Sequence, residues 1–229
     1  MAETKTVRPN RTEETPAIDR AGDFWSRYNK PIIIAAVAII VLLLGWLAYK
    51  KFVQEPNERK ASEAIFKSEE YYRMDSLNLA LNGDGMNQGF LRIIDRYGNT
   101  KAGNLAKFYA GASFLQLGNF EQAEKHLKDF STDAEQVQAR AYKLLGDAYA
   151  EQGKNDNALS SYKKAASEFE EDDQNASEYL FMAAYFAEKV ANNKSEAIKL
   201  YRELKEKYPR TEKGFEAEKY LARLGEYKE

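Results

Sequence analysis

A chain of 229 residues with 34 basic against 36 acidic side chains, a net charge of −2 and no cysteine narrows the function classes at once. That balance offers nothing to the phosphates of nucleic acid, and without a thiol there is no disulfide framework, cysteine nucleophile or zinc knuckle. Pro9, Pro16 and Pro31 are three of only five prolines, so the long remainder is free to be almost wholly helical.

Residues 1–21 are polar, rich in threonine and charge, and carry two of those prolines. Such a composition buries too little apolar surface to fold, which predicts a disordered tail over 1–22. A juxtamembrane segment and an apolar helix follow over 23–53. Within them, residues 31–49 carry no charge at all. Nineteen residues rising about 1.5 Å each span roughly 28 Å, close to the hydrocarbon thickness of a bilayer. Trp25 and Tyr28 flank one end and Trp46 and Tyr49 the other, as interfacial aromatic belts do. A buried core helix of that length seldom excludes every polar side chain, and a cleaved signal peptide is shorter. Orientation stays open on charge: Arg11, Arg20, Arg27 and Lys30 stand on one side, Lys50, Lys51, Arg59, Lys60 and Lys67 on the other.

Pro56 pushes the residue before it out of the helical region, which predicts an interruption and a linker over 54–60. Residues 61–229 then form one repeat domain. The first helix of this domain is expected over 61–81, stopping at Asn82, Gly83, Asp84 and Gly85, with a second helix over 89–97. Between residues 105 and 165 one motif is written twice. Gly111 recurs as Gly146, Phe114 as Tyr149, Gly118 as Gly153, Ala123 as Ala158, Leu127 as Tyr162 and Phe130 as Ala165, always 35 residues on. A fixed period of this size means stacked helix pairs. Gly111 and Gly146 fall mid-helix, where glycine costs about 1 kcal/mol against alanine. Close approach to Ala123 and Ala158 on the following helix is the expected compensation. Gly118 and Gly153 end the first helix of each pair in a left-handed turn.

This order of small, aromatic, glycine, alanine and aromatic positions resembles the tetratricopeptide repeat, with Lys107 and Tyr142 where that motif often has tryptophan. A further pair spans 176–191 and 195–208, where Ala197, Tyr201, Leu204 and Pro209 match the second helix if one residue is inserted near Asn192 and Asn193. Tyr97, Thr100, Gly103, Ala106 and Tyr109 recur as Tyr208, Thr211, Gly214, Ala217 and Tyr220, 111 residues apart. Thr211 opens a last helix with no partner after it, the cap that a solenoid needs on its final apolar face. The fold class expected is all-α: a single N-terminal transmembrane helix, then a tetratricopeptide-repeat solenoid with a C-terminal capping helix.

With Trp25, Gly45, Trp46, Pro56 and the helix from Ala61, the chain as a whole resembles the YfgM-like family of bacterial inner-membrane proteins, ancillary subunits of the Sec translocon. The turn over 82–89 and residues 98–103 look most like members from Bacteroidetes-type bacteria. The resemblance implies a short cytoplasmic tail, one anchor and a periplasmic repeat domain acting on emerging proteins beside a chaperone partner. Zero cysteine is compatible with export.

Candidate chemistry is sparse. His126 has no second histidine or cysteine to join it in a metal site and reads as a surface or groove residue. Gly83, Gly85 and Gly89 miss the dinucleotide fingerprint by one residue and follow no strand. As a calcium loop the stretch fails as well, with Leu91 where a bidentate glutamate is needed. The acidic run from Glu168 to Asp173 reads as a solvated loop. Neither an enzyme, a cofactor, a metal, a small-molecule substrate nor a nucleic-acid partner is expected.

A protein-binding surface remains. The resemblance places ligand contacts on the inner face of the first helices: Leu105, Phe108, Ala112, Leu115 and Gln116 around Gly111, and Arg140, Lys143, Asp147, Ala150 and Glu151 around Gly146. The competing reading has Phe108 and Leu115 packed on a neighbouring helix. A clamp for a C-terminal carboxylate is not expected, because Lys143 is followed by Asp147 where that clamp needs asparagine. The function expected is a membrane-anchored interaction scaffold and chaperone-like accessory factor near the translocon. Its partners would be translocon components, envelope clients or a periplasmic chaperone, and the lipid bilayer would hold its anchor. A coordinator of envelope assembly or division with one partner, or a cytoplasm-facing adaptor, are the alternatives.

Overall fold

The computed structural model describes residues 15–226, which form two compact units, one ending at Glu55 and the other beginning at Pro56. Helix α1 covers Thr15–Tyr49. Its first turn contains Pro16, whose missing N–H is an orphan at that position in any case. The disordered tail expected through residue 22 is therefore helical from Thr15, while residues 1–14 lie outside those described. Pro31 sits inside α1 without ending it.

The interruption expected before Pro56 does not occur. A proline ring collides with the carbonyl four residues back, here that of Phe52. Phe52 lies within a π-helical turn, Lys50–Gln54, and the Glu55 N–H donates to the Lys50 carbonyl, five residues back. The wider turn moves the carbonyl away from the ring. Glu55 keeps helical angles (φ −61°, ψ −45°), and α2 runs over Glu55–Arg73. Residues 31–55 are all exposed, as are Trp25 and Tyr28, so the apolar stretch is not a core helix. The helical stretch Phe24–Arg73 is long and apolar enough to cross a membrane.

The second unit continues with α3 (Leu77–Asn82), α4 (Phe90–Tyr97), α5 (Lys101–Gln116), α6 (Phe120–Lys128), α7 (Glu135–Glu151), α8 (Asn155–Glu168), α9 (Asp173–Lys189), α10 (Lys194–Lys207) and α11 (Glu212–Arg223). The fold is all-α, with no strand among the described residues. The single helix expected over 61–81 is split into α2 and α3. Asp75 takes a left-handed conformation (φ 57°), the Ser76 N–H donates to the Tyr71 carbonyl and the Asp75 N–H to that of Tyr72. This is the Schellman ending with aspartate in place of glycine. Asp84 builds the turn that follows, its carboxylate accepting from the Met86 and Asn87 N–H groups and from the Tyr71 hydroxyl.

Helices α5/α6, α7/α8 and α9/α10 pack as consecutive pairs, with α11 on α10 and α9. Gly118 and Gly153 end α5 and α7 in left-handed turns (φ 74° and 70°). The mid-helix glycines have a larger side chain as their nearest partner than the alanines expected. A Cβ on Gly146 would lie 2.5 Å from Tyr162 Cε1, and one on Gly111 2.5 Å from Leu127 Cγ. Ala123, fully buried, makes the expected close approach as well, its carbonyl oxygen 3.3 Å from a Cβ on Gly111, whereas Ala158, also fully buried, is not among the nearest contacts of Gly146. The glycine clears room for a large side chain one turn further along the second helix. Ala197 is likewise fully buried. The residue inserted near Asn192 is absorbed by that residue's own left-handed conformation (φ 51°) and a bond from Asn193 N–H back to the Ala187 carbonyl.

The 111-residue echo has a physical cause at its first three positions. Thr100 Oγ1 accepts from Gly103 N–H and donates to the Tyr97 carbonyl, and Thr211 does the same with Gly214 and Tyr208. A Cβ on Gly103 or Gly214 would meet that carbonyl oxygen at 1.8 or 1.9 Å, so only glycine fits.

Candidate functional site

Helices α5 and α7 run beside each other and open a cleft of about 460 Å³ lined by Leu115, Gln116, Gly118, Phe120, Asp147, Ala150, Glu151 and Tyr162. Five of the residues expected on the inner face meet there: Leu115, Gln116, Asp147, Ala150 and Glu151. Each arrives for a local reason. The Gly118 turn sends the chain directly from α5 into α6, which brings Phe120 to the rim. Gly146 admits the Tyr162 ring, whose hydroxyl donates to Asp147 Oδ1 at 3.0 Å. The other oxygen of Asp147 accepts from Lys143 Nζ at 2.7 Å. Burial first, then the charge of Asp147, pushes the Tyr162 hydroxyl well above its ordinary value. Lys143 is thus committed to its own helix and is not free to clamp a ligand carboxylate.

The remaining inner-face expectations divide. Phe108 is a correction: at 6% exposure it belongs to the core, with its ring 5.4 Å from that of Phe130 and the Arg140 guanidinium 5.9 Å above it. Ala112 is buried as well. Leu105 is half-buried and touches both hydrophobic clusters. His126 is a second correction. Expected at the surface or in the groove, it is 8% exposed, stacked on Phe114 with the rings 9° from parallel. Burial, then Lys125, lowers its pKa below 6.5.

A family profile described as a tetratricopeptide repeat-like domain matches residues 22–142, more than half of the chain. The chain belongs to the tetratricopeptide-repeat family. Two further tetratricopeptide-repeat profiles match residues 110–176 and 178–211. No curated protein matches the chain. Tetratricopeptide-repeat families are generally non-catalytic scaffolds that bind other proteins.

One set of tetratricopeptide-repeat positions escaped the sequence reading. Counted about Ala184, the offsets used for Gly111 and Gly146 give Phe181 and Tyr185, and the structure gathers these with Tyr201 and Tyr220. Phe181 and Tyr220 lie 5.0 Å apart, as do Tyr201 and Tyr220. The Tyr201 hydroxyl donates to Glu188, which Arg223 holds through two bonds. Burial opposes the charge of Glu188, but Lys189 and Arg223 outweigh it and keep that carboxyl below its usual range. The signal was present in Ala183 and Ala184; only the inserted residue hid the register. The acidic run proves partly structural too, since Asp172 caps α9 by accepting from Asn175 N–H.

Proposed function

We propose that this tetratricopeptide-repeat chain is a membrane-anchored protein-interaction scaffold. Its repeat domain faces the periplasm of a bacterial cell and handles emerging or assembling envelope proteins near the Sec translocon. The observation that carries the proposal is the α5–α7 cleft, where half-buried Leu115, Phe120 and Ala150 stand beside Gln116, Asp147 and Glu151, in a chain that also holds a membrane-length apolar helix. The anchor would span the inner membrane once, with Trp25, Tyr28, Trp46 and Tyr49 at its interfaces. The resemblance of residues 23–61 to the YfgM-like family supports the periplasmic orientation and the translocon as neighbour, and the absence of cysteine agrees with it. Leu115, Gln116, Asp147 and Glu151 are the residues proposed to meet a partner, with Leu105 and Arg140 nearer the start of the same two helices.

Two measurements test this. Ser131 is exposed and the chain has no native cysteine, so Ser131→Cys reports its own compartment. Labelling of intact cells by an inner-membrane-impermeant maleimide supports the periplasmic orientation, and labelling only after the inner membrane is opened overturns it. A photocrosslinker at Gln116 should then trap many envelope proteins and translocon subunits. A single stoichiometric adduct would replace the accessory factor with a coordinator of one partner.

A further inference from the structure

The cleft between α5 and α7 has an uneven stock of hydrogen-bonding groups. Its side-chain donors are partly engaged: the Tyr162 hydroxyl on Asp147 and one N–H of the Gln116 amide on the Tyr72 hydroxyl at 3.4 Å. Its acceptors are not. Glu151, exposed at the last residue of α7, has no hydrogen-bond or ion-pair partner among the described residues, and the Gln116 side-chain oxygen accepts from none of them. No lysine or arginine lines the cleft. Lys143, one turn before Asp147 on α7, is paired with that carboxylate at 2.7 Å. The surplus is felt inside the protein, where Asp147 and Glu151 both press the Tyr162 hydroxyl toward its protonated form. Around these acceptors Leu115, Phe120 and Ala150 form an apolar wall.

We propose that this cleft selects a cationic side chain, a lysine or arginine flanked by apolar residues on an extended segment of the bound protein. The inference rests on the reading of the cleft as a protein-docking site. Lysine and arginine carry donors and no acceptor on a long aliphatic stem. The stem lies along Leu115 and Ala150 while the head meets Glu151 and the Gln116 oxygen. An acidic segment would set a carboxylate against Glu151 with no cation in the lining to receive it, and a neutral polar one would leave that charge uncompensated.

The test uses the full chain in phosphatidylcholine nanodiscs and three fluorescein-labelled decapeptides in which leucine alternates with arginine, glutamine or glutamate, with empty nanodiscs as the blank. Fluorescence anisotropy should show the arginine peptide binding about tenfold more tightly than the glutamine peptide, with the glutamate peptide weakest, and the gap narrowing as salt rises. Glu151→Gln should weaken the arginine peptide about threefold and Glu151→Lys about tenfold, each with an unchanged melting curve. Leu115→Ala should weaken all three peptides alike. Equal binding of the three peptides that Leu115→Ala still weakens overturns the charge selection and leaves the docking reading intact. An arginine preference that persists in Glu151→Lys overturns the role of Glu151. If no peptide binds above the blank, the selection is overturned, and the crosslinks from Gln116 judge the docking reading separately.

Discussion

Gly146 and Gly111 occupy the same repeat position, yet the side chains they admit differ in freedom, and that difference sets what a methyl group would cost. At Gly146 an added Cβ meets the Tyr162 ring at 2.5 Å, and that ring is buried with its hydroxyl tied to Asp147. At Gly111 the nearest obstacle is Leu127, an aliphatic side chain with no polar tether, with the Ala123 carbonyl oxygen behind it at 3.3 Å. Overpacking a fixed neighbour costs about 1–3 kcal/mol, whereas alanine gains about 1 kcal/mol over glycine in helix propensity. Gly146→Ala should therefore lose up to about 2 kcal/mol net, and Gly111→Ala less, read from urea midpoints at constant m-value. His126 gives a pH-dependent counterpart. Phe114 stacks on it, and Lys125, Asp129 and Lys107 surround it. Its folded pKa lies below 6.5, so the unfolded chain takes up a proton that the folded chain refuses. Stability is then complete above pH 6.5 and falls as the pH drops through the depressed folded value. Between pH 7.5 and 5.5 the wild type should lose more stability than His126→Gln, and equal losses would place the sensitivity elsewhere.

Helix ends in this chain follow two chemistries, and they differ in how plainly a sequence shows them. Gly118 and Gly153 stop their helices with a residue suited to positive φ, and Thr100 and Thr211 start theirs with a hydroxyl on the N–H three residues on. Thr211→Ala should cost about 1 kcal/mol, the usual effect of losing such a cap, and should loosen α11 first, seen as faster amide exchange over 212–223. Asp75 instead holds a left-handed conformation at a strain cost that glycine does not carry. Asp75→Gly should leave the melting temperature unchanged or raise it by a few degrees, and a fall would mean that the aspartate side chain contributes more than its backbone costs. The helix pairs and the cap were legible because glycine, threonine and a 35-residue period mark them. The division at Asp75 was not, because aspartate ends helices far less often than glycine. The helix through Pro56 was not either, because a π-turn depends on backbone geometry that no residue type announces. In the candidate site, Leu115, Gln116, Asp147, Ala150 and Glu151 could be placed from offsets alone. Phe108 could not, since the same offset fits an inner-face residue and one that turns to meet Phe130.

Across the whole repeat unit the buried residues fall into two clusters, one centred on Phe90, Ile93 and Ala106, the other running from Phe108 to Leu221. Leu105, Tyr109 and Phe114 are half-buried and touch both. Tyr109 makes the link through stacked aromatics: its ring is 5.3 Å from Phe90, 9° from parallel, and 5.6 Å edge-on to Phe108. In a stacked array each repeat is stabilised by its own packing and by its immediate neighbours, so a lesion should spread through such a link and fade with distance. Phe90 is fully buried, and Phe90→Ala should remove about 3–5 kcal/mol locally. The array then predicts a gradient in hydrogen exchange. Protection should collapse in α3 and α4, fall partly in α5, whose Tyr109 loses its stacking partner, and stay near wild type in α9 to α11. A uniform loss from α4 to α11 would mean that the unit unfolds as one cooperative block. In that case the α5–α7 cleft would stand or fall with every buried side chain in the array, rather than with the two repeats that frame it.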